Sequence, residues 1–234
     1  MIFGAIRKFS TIDYPGKLAC VLGTKGCNMH CHWCHNYSLL SHEFSSECQI
    51  ISENDVFDFL RDRSGFIEGV VISGGEPTLH KDLPAFCGRV KAMAFDVKLD
   101  TNGTHPEMVA QLVRERLVDY VAMDIKTDFK QYPSLTKKEF KPEKIRQSID
   151  LLLQGSIPYE FRTTCVKPFV NTTNIEHIGE LIRGAAQLFL QKFDHTHVQE
   201  NSNYAANPAA GFDDAEMEEL RCRVEPYVAA CSIR

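Results

Sequence analysis

Cys27, Cys31 and Cys34 stand within eight residues of one another in GCNMHCHWCHN (26–36), and no fourth cysteine completes the set nearby. A structural metal site wants four protein ligands and a closed shell, so three crowded thiols ask for a different chemistry. Zinc could use the three thiolates with His30, His32 or His35, but residues this close along the chain cannot all face one ion without strain. An iron–sulfur cluster tolerates the arrangement. In a [4Fe–4S] cube three cysteines hold three irons, and the fourth iron stays open for an exogenous ligand. Buried structural cysteines would not gather in a loop rich in His and Asn. The pattern favours the cluster, with zinc as its rival.

Four further stretches could do chemistry. SGGEPTL (73–79) reads blandly as a turn, since Gly and Pro punctuate any chain; two glycines at a strand end also let a ligand approach bare backbone. LDTNG (99–103) contains Asn-Gly, a strong hairpin signal, yet a helical segment follows instead of a returning strand. AMDIK (122–126) ends another apolar run and sets Asp124 and Lys126 at its edge. Asp100 and Asp124 are either solvated loop acids or, paired at one sheet edge, oxygen ligands for a cation. Arg162 in YEFRTTCV (159–166) is costly to bury unpaired, so it either reaches an edge or meets an acid.

The elements that position these residues alternate. Strand-like runs occupy 17–24, 69–74, 95–101, 118–126, 159–166 and 188–193. Helix-period segments lie between them: SENDVFDFLRDR with Ser52 as N-cap, LPAFCGRVKAMA, PEMVAQLVRERL, PEKIRQSIDLLLQ with Pro142 in its first turn, and TTNIEHIGELIRGAAQ. Strands alternating with such helices imply βαβ units and a parallel sheet. An open doubly wound sheet or a partial (β/α)6 barrel fits six units, and in both the chemistry collects at the C-terminal strand ends. The motifs fall there.

The net charge of −5 offers no electrostatic footprint for nucleic acid. The first residues lack a signal peptide's apolar core, and no run is long enough to span a membrane, so a cytoplasmic protein is expected. Its nine cysteines are then reduced. Cys20, Cys48, Cys87, Cys165, Cys222 and Cys231 read as small hydrophobes, and no second close cysteine pair suggests an auxiliary cluster. Without a low-complexity linker or repeat, a single domain over 1–234 is expected, with its core at about 17–193. The remainder, 194–234, reads as a long polar loop capped into a helix near Asp213 that covers the site, meets a partner or is merely a solvated connection.

With Trp33 before its last cysteine, the cysteine motif resembles the signature of the radical S-adenosylmethionine superfamily. GGEP resembles that superfamily's element for the cosubstrate's ammonium group. The resemblance implies a radical SAM core, a partial (β/α)6 barrel of parallel strands. Its [4Fe–4S] cluster would be held by Cys27, Cys31 and Cys34, and S-adenosyl-L-methionine would chelate the open iron. Trp33, Gly74, Gly75, Glu76 and Pro77 match cosubstrate-binding positions. LDTNG and AMDIK resemble the glycyl-radical-enzyme activating branch, where Asp100, Thr101, the Ala122 backbone and Asp124 match a monovalent-cation site beside the cosubstrate. Lys126 matches the residue meeting the cosubstrate carboxylate, Arg162 a ligand contact, and His195, with Asp194 as rival, a ribose contact. His30, His32 and His35 would surround the cluster and tune it.

FSTIDYPGKLACVLGTKGCNMHCHWCHN (9–36) is similar to the activating proteins of anaerobic ribonucleoside-triphosphate reductase, a match that thins after residue 193. It implies an anaerobic oxidoreductase in which a low-potential donor such as flavodoxin or ferredoxin reduces the cluster. S-adenosylmethionine is then cleaved, and the resulting 5′-deoxyadenosyl radical takes hydrogen from a glycine of a partner glycyl radical enzyme, the anaerobic ribonucleotide reductase. The protein binds, orients and excludes solvent, and no acid–base residue is required. Six strands would leave a lateral opening for the partner's glycine loop. Two rivals remain: a radical SAM enzyme acting on a small molecule, and a non-catalytic iron–sulfur carrier or sensor, which would fill all four iron positions with protein ligands and have no use for GGEP.

Overall fold

The computed structural model describes residues 1–40, 50–136, 139–198, 204 and 207–234. Cys48 therefore lies outside the described residues, as does most of 199–206 in the polar loop. The chain packs as two compact units, one of 1–27, 38–101 and 107–121, the other of 28–37, 102–106 and 122–234.

In the first unit β1 (Phe3–Ser10) runs antiparallel to β2 (Ala19–Thr24). β2 is parallel to β3 (Gly69–Gly74), which is parallel to β4 (Asp96–Thr101). The register sets Leu22 beside Ile72, and Ile72 beside Leu99. All three are fully buried, as expected where parallel strands are covered on both faces. α1 (Glu53–Asp62) connects β2 to β3 and α2 (Leu83–Ala92) connects β3 to β4, while α3 (Pro106–Arg114) follows β4. Ser52 starts α1 through a capping box with Asp55, which satisfies amides that the first turn would leave bare. Val56, Phe57 and Leu60 form its buried stripe.

β5 (Tyr120–Asp124) begins in the first unit and ends in the second. It is bonded to β4 on one side and β6 (Tyr159–Cys165) on the other. In the second unit β6 runs parallel to β7 (Leu188–Lys192), and β7 to β8 (Cys231–Ile233). α4 (Pro142–Leu153) and α5 (Asn174–Leu181) intervene, and α6 (Asp214–Val224) precedes β8. Asp213 and Glu216 form the capping box of α6, so the helix start expected near Asp213 is found.

The strands are ordered in the sheet as in the chain, from β1 to β8. A doubly wound sheet reverses its strand order at a switch point; this one does not, and the order is that of a (β/α) barrel. β2 to β7 with α1 to α5 are the six expected units. β1 and β8 are additional. β1 is exposed over much of its length, so its residues carry no core-facing alternation. β8 has three residues, too few for a pattern. No helix among the described residues is long and apolar enough to cross a membrane.

Candidate functional site

In the first unit the GGEP stretch is fastened to the end of β2. The Gly75 amide donates to the Thr24 carbonyl and the Glu76 amide to the Gly26 carbonyl, both at 2.8 Å. Gly26 immediately precedes Cys27, so the backbone that carries the first thiol is tied directly to this loop. The glycines are demanded by that approach. Gly74 has φ of +104°, and a Cβ there would stand 2.4 Å from the Thr24 nitrogen. A Cβ on Gly75 would stand 2.1 Å from the Gly26 oxygen, a backbone atom that cannot step aside. Gly75→Ala is therefore expected to cost about 1–3 kcal/mol in a urea titration. Gly88→Ala is the control: its Cβ meets only Leu117 at 3.7 Å, and it should stabilise α2 by up to about 1 kcal/mol.

Glu76 is 1% exposed. Its carboxylate accepts the Thr78 amide at 3.1 Å, the Thr78 hydroxyl and the Thr101 hydroxyl at 2.7 Å. Its side chain is committed to holding the loop, and Pro77 opens the short 3-10 turn that follows. Asp100 accepts the ammonium of Lys98, itself 1% exposed, at 2.5 Å.

In the second unit the Cys34 amide donates to the Cys31 carbonyl at 3.1 Å, which curls the loop between them. The His30 amide donates to the Leu135 carbonyl at 2.7 Å, anchoring the loop's start. Trp33 is buried against Phe169 at 4.6 Å between ring centroids, in a cluster with Leu135, Val166 and Ala210. Cys31, Phe193 and Tyr204 pack on that cluster. Burial pushes the Cys31 thiol up to about 11, against the pull of nearby Lys126. His32 stacks on Phe169 and Tyr204, while the His35 ring stacks on Phe193 and meets the Asp194 carbonyl at 2.9 Å. The Asp194 carboxylate accepts from the Thr196 amide and hydroxyl, capping the turn that contains half-buried His195.

The same unit joins three of the expected residues. Asp124 accepts Lys126 Nζ and Arg162 Nε, each at 2.8 Å. Burial by itself would raise the Asp124 carboxyl. The Arg162 guanidinium and Lys126 ammonium outweigh it and hold the group well below the usual carboxylate range. Burial would lower Lys126, but Asp124 holds its ammonium above the usual lysine range. Tyr132, fully buried, accepts the Lys126 amide at 3.0 Å. Ala122 is fully buried in β5.

Some supporting residues have no signal of their own in the sequence. Asn102 Nδ2 donates to Asn28 Oδ1 at 2.9 Å, and Asn28 Nδ2 donates to the Thr104 hydroxyl at 2.8 Å. The residue after Cys27 is thus bound to the loop after β4. Asn-Gly here makes no hairpin: Gly103 has φ of +74°, and a Cβ would stand 2.0 Å from Met123 Cε. Lys98 and Phe169 lie outside the motifs read from the sequence.

The profile of the radical SAM superfamily matches residues 21–183. The chain belongs to that superfamily, whose members use a [4Fe–4S] cluster and S-adenosylmethionine. A protein of Methanocaldococcus jannaschii, which carries the provisional name of glycyl-radical enzyme activating enzyme, is 39% identical over 200 residues, covering 82% of this chain and 80% of that one. The 7-carboxy-7-deazaguanine synthase of Thermococcus kodakarensis is 27% identical over 185 residues, covering 71% and 70%. Among solved structures, Streptococcus suis SuiB bound to S-adenosylmethionine superposes with a TM-score of 0.64 at 15% identity, over 92% of this chain and 51% of that one. At that identity the likeness is one of fold.

The donor set fits the cofactors of the family. Three thiols, none in a disulfide, fall within eight residues of the chain, and the residue before the first of them is tied to GGEP. A four-iron cube takes such thiolates on separate irons.

Proposed function

We propose that this chain is a radical SAM activating enzyme that generates a glycyl radical on a partner enzyme, the anaerobic ribonucleoside-triphosphate reductase. The observation that carries the activating-enzyme reading is the 39% identity to the Methanocaldococcus protein over four-fifths of both chains; the choice of partner rests on the likeness of residues 9–36 to the activating proteins of that reductase. Cys27, Cys31 and Cys34 hold the [4Fe–4S] cluster. When bound, the cluster supplies the electron that breaks the sulfonium bond of S-adenosylmethionine.

The chain's own residues bind and orient. The backbone of Gly74 to Pro77 accepts the cosubstrate ammonium, with Glu76 locking that loop through Thr78 and Thr101. Lys126 meets the carboxylate, held in place by Asp124, and Arg162 shares the same acid. The ribose falls to His195 or Asp194. The aromatic packing around Trp33 gives one side of the cysteine loop a stiff apolar wall. A low-potential donor such as flavodoxin or ferredoxin supplies the electron, and the segment after β7 meets the partner.

The deazaguanine synthase match favours a second reading, a radical SAM enzyme acting on a small molecule. One experiment divides them. The protein is reconstituted anaerobically with iron, sulfide, reductant and S-adenosylmethionine, and electron paramagnetic resonance is recorded with candidate partner enzymes added singly. A glycyl-radical doublet on one partner is the expected result. Consumption of a free small molecule in stoichiometry with 5′-deoxyadenosine, with no partner present, would favour the second reading.

A further inference from the structure

Lys98 has no part in the function proposed so far, yet it is the most confined cation of the first unit's sheet. Asp96, Lys98 and Asp100 alternate with Val97, Leu99 and Thr101, so they share one face of β4. Lys98 is 1% exposed and its Nζ stands 2.5 Å from Asp100 Oδ1 and 6.0 Å from the centroid of the Tyr120 ring. Asp100 itself is 12% exposed at its side chain. An ammonium out of water persists where a carboxylate and a ring face replace its hydration.

We propose that the Lys98 ammonium is a tethered counter-ion, holding the place beside Asp100 where a monovalent cation was expected, so that this protein binds its cosubstrate without one. The inference rests on the reading of Asp100 as a cosubstrate-site residue. An ammonium and a potassium ion are alike in charge and size, and a second cation against Asp100 would be repelled by the first. Asp124, the other expected carboxylate, accepts from Lys126 and Arg162 within its own unit. Each of the two expected carboxylates thus already has a protein cation. A counter-ion fixed by a covalent stem keeps its local concentration whatever the salt around it.

The test uses cluster-reconstituted protein and thallium(I) as a potassium probe, read by thallium-205 nuclear magnetic resonance at constant ionic strength set with tetramethylammonium chloride. The wild type should show no saturable thallium site. Lys98→Met, which removes the charge and keeps the stem, should acquire one. Its affinity for S-adenosylmethionine should fall roughly 5–100-fold in potassium-free buffer and return when potassium is added. A saturable site in the wild type that Asp100→Asn abolishes would overturn the proposal, and so would a Lys98→Met variant that takes no thallium. Should Lys98→Met fail to fold, Lys98→Gln carries the same comparison. Thallium binding is read with and without S-adenosylmethionine and with no partner enzyme, so failure of the activating-enzyme reading leaves this result legible.

Discussion

Cys31→Ala is expected to reduce anaerobic 5′-deoxyadenosine production to background and to leave the protein unable to retain its cluster. The loss follows from ligand number. Three thiolates secure a four-iron cube whose fourth iron belongs to the cosubstrate, and with two the protein holds half the irons of the cube. Removing a residue that merely supports a metal ligand costs roughly 10–100-fold in affinity; removing a ligand costs more. The fold should survive, because Cys31 sits at the margin of the Trp33 and Phe169 cluster and is not one of its fully buried members. Iron and sulfide content, circular dichroism and 5′-deoxyadenosine by chromatography together check this. Cys87→Ala is the control, a fully buried α2 cysteine outside the motif, and it should keep both cluster and turnover. Unchanged 5′-deoxyadenosine from Cys31→Ala would refute the ligand assignment and the function built on it.

Much of this was legible in the sequence for a physical reason. Strands buried on both faces are apolar runs, and βαβ alternation repeats them at helix-length intervals, so all six strands from β2 to β7 stand out. Ser52 and Asp213 announce their helices because capping is local chemistry. The side chains that fix the site are less legible, since they depend on pairing across strands. Asp124 and Arg162 are 38 residues apart, and only the bonding of β5 to β6 brings them to one carboxylate. Asn28 and Asn102 are 74 apart. The glycines of GGEP read as openings for a ligand, yet their hydrogen-side faces meet the backbone of Thr24 and Gly26. Their first duty is to let two strand ends approach, and a loop so closely packed also offers its remaining carbonyls in fixed positions. Trp33, which the motif aligns with the cosubstrate, is 3% exposed and packed on Phe169.

The second large effect belongs to Asp124. Asp124→Asn is expected to destabilise the protein by about 2–3 kcal/mol, because two cations lose their shared anion while an amide of the same shape remains. The lower part of the range for a buried pair applies, since Asp124, Lys126 and Arg162 are 23%, 18% and 14% exposed at their side chains. For a chain of this length that corresponds to a fall in Tm of roughly 4–12 °C. The double variant Asp124→Asn, Arg162→Met should regain part of the loss, as it removes one of the two cations left to repel each other. The pH dependence gives a separate check. Burial opposes the charged form of Asp124, but Arg162 and Lys126 prevail and depress its pKa in the folded protein from the ordinary 3.8. A depressed folded pKa gives stability that is complete above the unfolded value and is lost as pH falls towards the folded one. The difference between wild type and Asp124→Asn should therefore be flat from about pH 5 to 8 and shrink below about pH 4. A difference that changed through neutral pH would mean that Asp124 is not held as a carboxylate between these two cations. Binding of S-adenosylmethionine, measured by equilibrium dialysis well below the variant's Tm, should weaken as well, because the role proposed for Lys126 at the cosubstrate carboxylate needs the ammonium that Asp124 fixes. Full stability loss with unchanged cosubstrate affinity would leave the triad as a fold anchor and remove Lys126 from the binding site.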